Sequence, residues 1–486
     1  LDDCSDFCNF VSLILKKQMN KRLISLLIVA GFITGLSATK PLNRFLENEV
    51  LKNANISLLV KDAASNKVVY DFRSDNSAVC ASTMKLITTA TALEMLGPDF
   101  RFETKLQTDG EITRDSVLFG NLYIYGSGDP TLGSSSCGTG AFLSDWVSAI
   151  RKAGIREILG NVITDATQFD DEGINPKWLW EDMGNYYAAG AYGISYLDNT
   201  FQLVLRSGSE GTIPEILRTI PEIPGISFEN HLKSTNIHTD SAYLYGAPHE
   251  NKRMIYGEIP KNRNSFIIKG DIPNPAELLK YHVENECKRQ GIEIFHKIFQ
   301  SVNKKERKDI YSQFSPPLSE IITVTNINSD NHYAEQVFRY LSLKTDSVAS
   351  TKASIQAVRS FWRERGLPVD QLFMNDGCGL APSNGVSARF FTNLLTYMKS
   401  SPDYEVYYNS LPVSGVSGTL KSLLKDTPLE GKVHAKSGSI SRVKCYAGYM
   451  DIKDKQYIFA ILVNNANGTS KEVTKKIEEL LLSLNE

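Results

Sequence analysis

Cys80-Ala81-Ser82-Thr83-Met84-Lys85-Leu86-Ile87-Thr88-Thr89-Ala90-Thr91-Ala92-Leu93-Glu94-Met95-Leu96-Gly97 is the stretch around which the rest of the chain is organised. Met84, Leu86, Ile87, Ala90, Leu93, Met95 and Leu96 are apolar on most sides, which predicts a helix buried all round, and Gly97-Pro98 stops it. Ser82 stands at its start with Lys85 three residues on, so both side chains fall on one face of the first turn. A serine hydroxyl becomes a nucleophile when a neighbour takes its proton. A lysine does this once burial or nearby positive charge lowers its pKa. The helix N-terminus favours the developing alkoxide. Alone, the pair reads more readily as an N-cap serine and a surface lysine, and Ser-x-x-Lys recurs at Ser37/Lys40, Ser301/Lys304, Ser422/Lys425 and Ser441/Lys444. Setting distinguishes Ser82: a strand-like segment precedes it, an apolar helix follows, and two partner segments lie far downstream.

The first partner, Ser329-Asp330-Asn331, opens a helix and offers a second hydroxyl and an amide. The second, Lys436-Ser437-Gly438-Ser439, lies on a strand edge. Ser-x-x-Lys, Ser-Asp-Asn and Lys-Thr-Gly are known to occur together in class A β-lactamases and penicillin-binding proteins. The chemistry fits. Ser329 can relay a proton between Lys85 and a leaving amine, and Asn331 can bind a substrate amide. Lys436 adds positive charge that keeps Lys85 neutral and steers a carboxylate, to which Ser437 offers its hydroxyl. Gly438 leaves room for substrate beside the strand, and the backbone N–H groups of Ser82 and Ser439 would form an oxyanion hole. Ser74-Asp75-Asn76 and Arg206-Ser207-Gly208 imitate two of these segments but read as turns.

The bulk numbers exclude other classes. At 486 residues the chain holds two or three domains, and 42% hydrophobic with 22% charged residues is a globular composition. A net charge of -2 gives no footprint for nucleic acid. There is no His-x-x-x-His or Cys-x-x-Cys, so neither a metal nor another cofactor is expected. Seven cysteines, two of them ahead of Lys21, form no disulfide framework. Lys21-Arg22, the apolar run Leu23 to Leu36 and Ser37-Ala38 read as a secretory signal peptide. Met19 is a natural translation start, so residues 1–38 are expected to be an upstream extension plus that leader. An uncleaved leader would leave room for loose membrane association.

Further along, Ile56 to Lys61 and Lys67 to Phe72 predict a hairpin. From Phe100 to about Gly291, short β-rich runs alternate with Gly and Pro turns. Helices are expected at Pro275 to Gln290, Leu318 to Val324, Asn331 to Leu343 and Thr351 to Gly366. Lys444 to Asp451 and Gln456 to Asn464 predict strands, and Ser470 to Leu484 a closing helix docked on the core rather than a membrane anchor.

Taken together, the three motifs and the long Lys85–Ser329 gap resemble the D-alanyl-D-alanine carboxypeptidase/endopeptidase family, the class C low-molecular-mass penicillin-binding proteins. The likeness includes Gly126-Ser127-Gly128-Asp129-Pro130-Thr131-Leu132, Trp178-Leu179-Trp180-Glu181-Asp182 and Ser315-Pro316-Pro317-Leu318. It continues with Asn375-Asp376-Gly377-Cys378-Gly379-Leu380 and Gly415-Val416-Ser417-Gly418-Thr419-Leu420. Three departures stand out: Ser437 replaces threonine, Cys378 stands where the family usually has serine, and Ala381-Pro382-Ser383-Asn384 replaces Ser-Arg-x-Asn. The last two bear on the cleft wall and hence on substrate preference.

The resemblance implies an α+β fold, a β-lactamase/transpeptidase-like domain with a five-stranded antiparallel sheet flanked by helices. It would comprise residues 39–100 and 294–486, split by a mostly β insertion at 101–293 whose inner subdomain spans about 198–270. It also implies an exported, periplasmic enzyme that cleaves D-Ala-D-Ala peptides of peptidoglycan through an acyl-enzyme on Ser82, with β-lactam antibiotics as covalent inhibitors. A serine β-lactamase would instead turn penicillin over rapidly. A silent peptidoglycan-binding protein would form no adduct, and a related esterase or aminopeptidase would take small esters or D-amino-acid amides. Oligomeric state has no sequence signal.

Overall fold

Strand β1 (Asn55–Asp62) is buried on both faces, and this places it inside the molecule. Leu59 turns toward the helices and Ile56, Leu58 and Val60 toward the opposite side, as the two-residue period of a strand requires. The structure, a computed structural model, describes residues 40–485 except Thr139 and Ala141; the leader expected at 1–38 lies outside the described residues. With β2 (Val68–Phe72), β3 (Val433–Ile440), β4 (Val443–Ile452) and β5 (Lys455–Asn464), β1 forms a five-stranded sheet in the order β2-β1-β5-β4-β3. Every neighbouring pair is antiparallel, and Ile56 against Val463 and Val60 against Phe459 join the two ends of the chain. This is the expected α+β architecture.

Helices cover both faces. On one side lies α1 (Lys85–Leu96), in which every residue from Lys85 to Leu93 is buried. Its threonines are tolerated because Thr88 donates to the Gly377 carbonyl at 2.6 Å, Thr89 to Lys85 at 2.7 Å and Thr91 to Ile87 at 2.6 Å. α2 (Asn331–Leu341) and α3 (Ala388–Lys399) share this core through Tyr333, Val337, Phe338, Phe390, Phe391 and Leu394. On the other face, α4 (Ser470–Leu482) buries Val473, Ile477, Leu480 and Leu481. Thr469 and Glu472 cap it reciprocally, so the closing helix is docked on the sheet. Among the described residues no helix is long and apolar enough to cross a membrane.

Between α1 and Leu318 the chain builds a second core from Leu106, Leu122, Trp146, Ile150, Phe201, Leu203, Ile255 and Leu279. One sheet runs Lys308–Phe314, Glu103–Thr108, Leu122–Tyr125, Val162–Asp165 in order. Another places Thr200–Arg206 between Glu215–Ile220 and Phe266–Asp271. The helix Phe142–Lys152 has no counterpart in the sequence reading; its apolar stripe Phe142, Trp146, Val147 and Ile150 follows a Gly/Ser-rich run that reads as loop.

Candidate active site

The helix behind Ser82 starts later than its sequence suggests. Ala81–Met84 forms a 3-10 turn, Ala81 has φ +46°, and the α-helix proper begins at Lys85. The tighter turn sets Ser82 ahead of the helix and leaves Lys85 beneath it. Lys85 Nζ donates to Ser82 Oγ at 2.9 Å, to Asn331 Oδ1 at 2.6 Å and to the Cys378 carbonyl at 2.7 Å. The lysine is wholly buried. Burial pushes its pKa down, against the pull of Cys378 and the Asp376, Asp330 and Glu335 carboxyls.

Ser329 occupies the short link between helix Leu318–Ile327 and α2, with φ +58°. Asp330 caps α2 by accepting from Tyr333 N at 2.9 Å, which fixes where Asn331 projects. Lys436, equally buried, donates from Nζ to Ser329 Oγ at 2.8 Å and to the Ser437 carbonyl at 2.9 Å. Ser437 Oγ meets Thr419 Oγ1 at 2.7 Å. The structure therefore brings Ser82, Lys85 and Asn331 into one hydrogen-bonded group, and Ser329, Lys436 and Ser437 into a second beside it. Burial, and then repulsion from Lys85, drives the Lys436 pKa well down. Both lysines are therefore pushed toward the neutral amine, with acidic groups opposing this around Lys85.

Gly438 lies close against the main chain around Ser82. A Cβ there would sit 2.4 Å from the Cys80 carbonyl oxygen and 3.1 Å from Ser82 N. The nucleophile turn itself fills the space beside the strand. Ser439, next along β3, is exposed and pairs with Lys444.

Several contributors were not singled out from sequence. The Tyr187 carbonyl accepts from Asn331 Nδ2 at 2.7 Å, bringing the inserted region to the cleft. Glu335, one turn along α2 from Asn331, accepts from Gly377 N at 2.6 Å and Cys378 N at 2.7 Å; its i,i+4 spacing was the available signal. Asp376 accepts from Trp178 Nε1 at 2.9 Å, Gly379 N at 2.8 Å, Ala381 N at 2.6 Å and Asn384 Nδ2 at 2.7 Å. Glu335, Asp376 and Cys378 place ligand-type atoms within 4.8 Å of one another. Their oxygens already clamp the loop that aims the Cys378 carbonyl at Lys85, so the cluster acts as a brace rather than a metal centre. Cys378 is fully buried and serves the site through its main chain.

Glu335 gives a pH-dependent expectation. Burial, then Asp376, lifts its carboxyl from 4.5 to about 8. A raised folded-state value means stability that is full below pH 4.5 and is lost as pH climbs to about 8. Its size is on the order of a few kcal/mol. Glu335→Gln keeps an acceptor for both N–H groups and removes the titration. Between pH 5 and pH 8 the native melting temperature should fall more steeply than that of the variant; parallel curves would contradict a buried neutral carboxyl.

Comparisons with known proteins bear on the fold and the family. A D-alanyl-D-alanine carboxypeptidase of Actinomadura sp. (strain R39) is 25% identical over 443 residues, 88% of this chain and 81% of that one. In structure, the chain is similar to penicillin binding protein 4 of Haemophilus influenzae, with a TM-score of 0.77 at 22% identity, covering 91% of this chain and 99% of that chain. The same Haemophilus protein complexed with a β-lactam gives 0.74 at 21% identity, covering 91% and 98%. At such identities the structural likeness establishes the fold. Matched over residues 38–484, the chain belongs to the D-Ala-D-Ala carboxypeptidase 3 (S13) family.

Proposed function

We propose that Ser82 is the nucleophile of a serine D-Ala-D-Ala carboxypeptidase that also cleaves D-Ala-linked cross-links of peptidoglycan. The observation that carries this is the 2.9 Å contact from a fully buried Lys85 Nζ to Ser82 Oγ. Oγ attacks the carbonyl carbon between the two D-alanines while its proton passes to the Lys85 amine. The N–H groups of Ser82 and Ser439 hold the oxyanion. Ser329 passes its hydroxyl proton to the departing nitrogen and receives in its place the proton that Lys85 took from Ser82, so the C–N bond breaks, D-Ala leaves and Lys85 is again a neutral amine. Water, activated by the same lysine, then hydrolyses the ester on Ser82.

The two lysines divide the work. A substrate carboxylate seated against Ser437, Thr419 and Lys436 favours the charged form of Lys436, whose charge keeps Lys85 neutral and able to act as base. Asn331 keeps Lys85 on its oxygen, and its amide nitrogen carries a second N–H for the substrate's acyl-side amide.

Residues 39–100 and 315–486 make up the catalytic domain in this reading and 101–314 the insertion, with 198–270 its inner part, rather than a return at residue 294. Pairing of Lys308–Phe314 with Glu103–Thr108 favours a return to the catalytic domain at Ser315. Export to the periplasm rests on the leader at 1–38.

The test is intact-mass measurement of the mature protein after brief exposure to benzylpenicillin. A single lasting adduct on the peptide containing Ser82 is expected. Hydrolysed drug beside free enzyme would make it a β-lactamase, and intact drug without adduct a binding protein.

A further inference from the structure

Large aromatic side chains seldom stay in water without a partner, yet one face of the inserted region gathers several. Trp180 is 51% exposed, and Tyr243 and Tyr256 are each 43% exposed. Their rings are ordered relative to one another. Trp180 lies nearly parallel to Tyr245, centroids 6.0 Å apart at 16°. Tyr245 lies nearly parallel to Tyr243, at 6.3 Å and 28°. Tyr256 meets Tyr245 edge-on at 5.8 Å and stacks on His231 at 4.6 Å and 17°.

The backbone holds this row in place. Tyr243 and Tyr245 share one face of the strand Tyr243–Tyr245, which pairs with Lys252–Tyr256 and sets Tyr243 opposite Tyr256. Leu244 N donates to Asn185 Oδ1 at 3.1 Å, and Gly246 N to the Met183 carbonyl at 3.3 Å, which ties the strand to the segment bearing Trp180. That segment also borders the cleft, through Trp178 on Asp376 and the Tyr187 carbonyl on Asn331. The segment that bears Trp180 thus also carries contacts to the catalytic site.

Its chemistry is selective. The rings present flat π faces with hydroxyls at their edges, and Glu229, His231 and Lys252 supply a polar border at one end. The row itself is aromatic, and Leu179 is the exposed aliphatic side chain next to Trp180. A pyranose has the complementary surface, with apolar C–H faces and a rim of hydroxyl and acetamido groups.

We infer that the row Trp180–Tyr245–Tyr243, with Tyr256 beside it, is a docking platform for the β-1,4-linked N-acetylated sugar backbone of the polymer whose peptides enter the cleft. The inference rests on the peptidoglycan reading above. Sugar rings stack along the row and present their attached peptides to Ser82.

The test is a titration of the mature protein with chitohexaose, a β-1,4-linked hexamer of N-acetylglucosamine, followed by tryptophan fluorescence. Trp146, Trp178 and Trp362 are buried, so Trp180 reports contact. A saturable change is expected, about tenfold weaker in Tyr243→Ala/Tyr245→Ala and weakened also in Tyr256→Ala. Benzylpenicillin acylation of Ser82 should proceed at the native rate in these variants, which shows that they are folded. No saturable change, or variants that titrate like the native protein, would overturn the platform. Self-association lost in the same variants would overturn it too, by assigning the face to a second copy. Sugar binding without any acylation would overturn the reaction and leave the platform standing.

Discussion

Ser82→Ala is expected to remove the benzylpenicillin adduct and D-Ala release together, lowering kcat/KM for a D-Ala-D-Ala peptide by a factor on the order of 10⁴ or more. The size follows from what the hydroxyl does. It forms the covalent bond, and no neighbouring group occupies its place against both Lys85 and the Ser82–Ser439 N–H pair. Ser329, the other hydroxyl at hand, is held by Lys436 at 2.8 Å rather than by Lys85. The fold should be indifferent to the change. Ser82 Oγ is one of three acceptors on Lys85 Nζ, and Asn331 Oδ1 and the Cys378 carbonyl keep the amine satisfied. Stability should therefore move by less than about 1 kcal/mol. Lys85→Met, which keeps the buried stem, should slow acylation while leaving Ser82 present. An adduct that survives in Ser82→Ala would place the nucleophile elsewhere, and intact-mass measurement decides between the two.

Sequence revealed the parts of this site whose meaning is local. The hairpin of β1 and β2, the two long C-terminal strands, the Ser-Asp-Asn cap of α2 and the capped closing helix announce themselves through period, turn residues and caps within a few positions. The motifs were legible because each common pattern stands in such a setting and the three follow one another in order. What sequence hid is what depends on distant pieces meeting. Lys85 and Asn331 are 246 positions apart, and the Tyr187 carbonyl on Asn331 belongs to a main-chain atom with no residue signature. Asp376 stands in a recognisable motif and Glu335 four residues after Asn331, but neither pattern shows that the two meet around the Cys378 loop. The late start of α1 arises the same way, since helix propensity cannot foresee a strand pressing on the first turn.

That pressure makes Gly438→Ala the second substitution of large effect. Gly438 sits in β3, an edge strand of the main sheet, opposite Cys445. Its φ is not in the left-handed region, so alanine suits the backbone and the whole penalty is steric. The added methyl carbon would lie 2.4 Å from the Cys80 carbonyl oxygen, 3.0 Å from Thr83 N and 3.1 Å from Ser82 N. All three are main-chain atoms, so no side chain can swing aside. Either β3 or the nucleophile turn must shift, and both movements separate Ser82 from its partners. A displacement near 1 Å costs about 10²-fold in rate, and overpacking adds about 1–3 kcal/mol of destabilisation. Gly385→Ala is the matched control, because a Cβ there meets nothing closer than 3.6 Å. Gly438→Ala should acylate at least about 100-fold more slowly than Gly385→Ala, with a lower melting temperature. Equal acylation rates would mean that Ser82 is aimed without β3, and the part assigned to the Lys436–Ser439 edge in binding the oxyanion would fall with it.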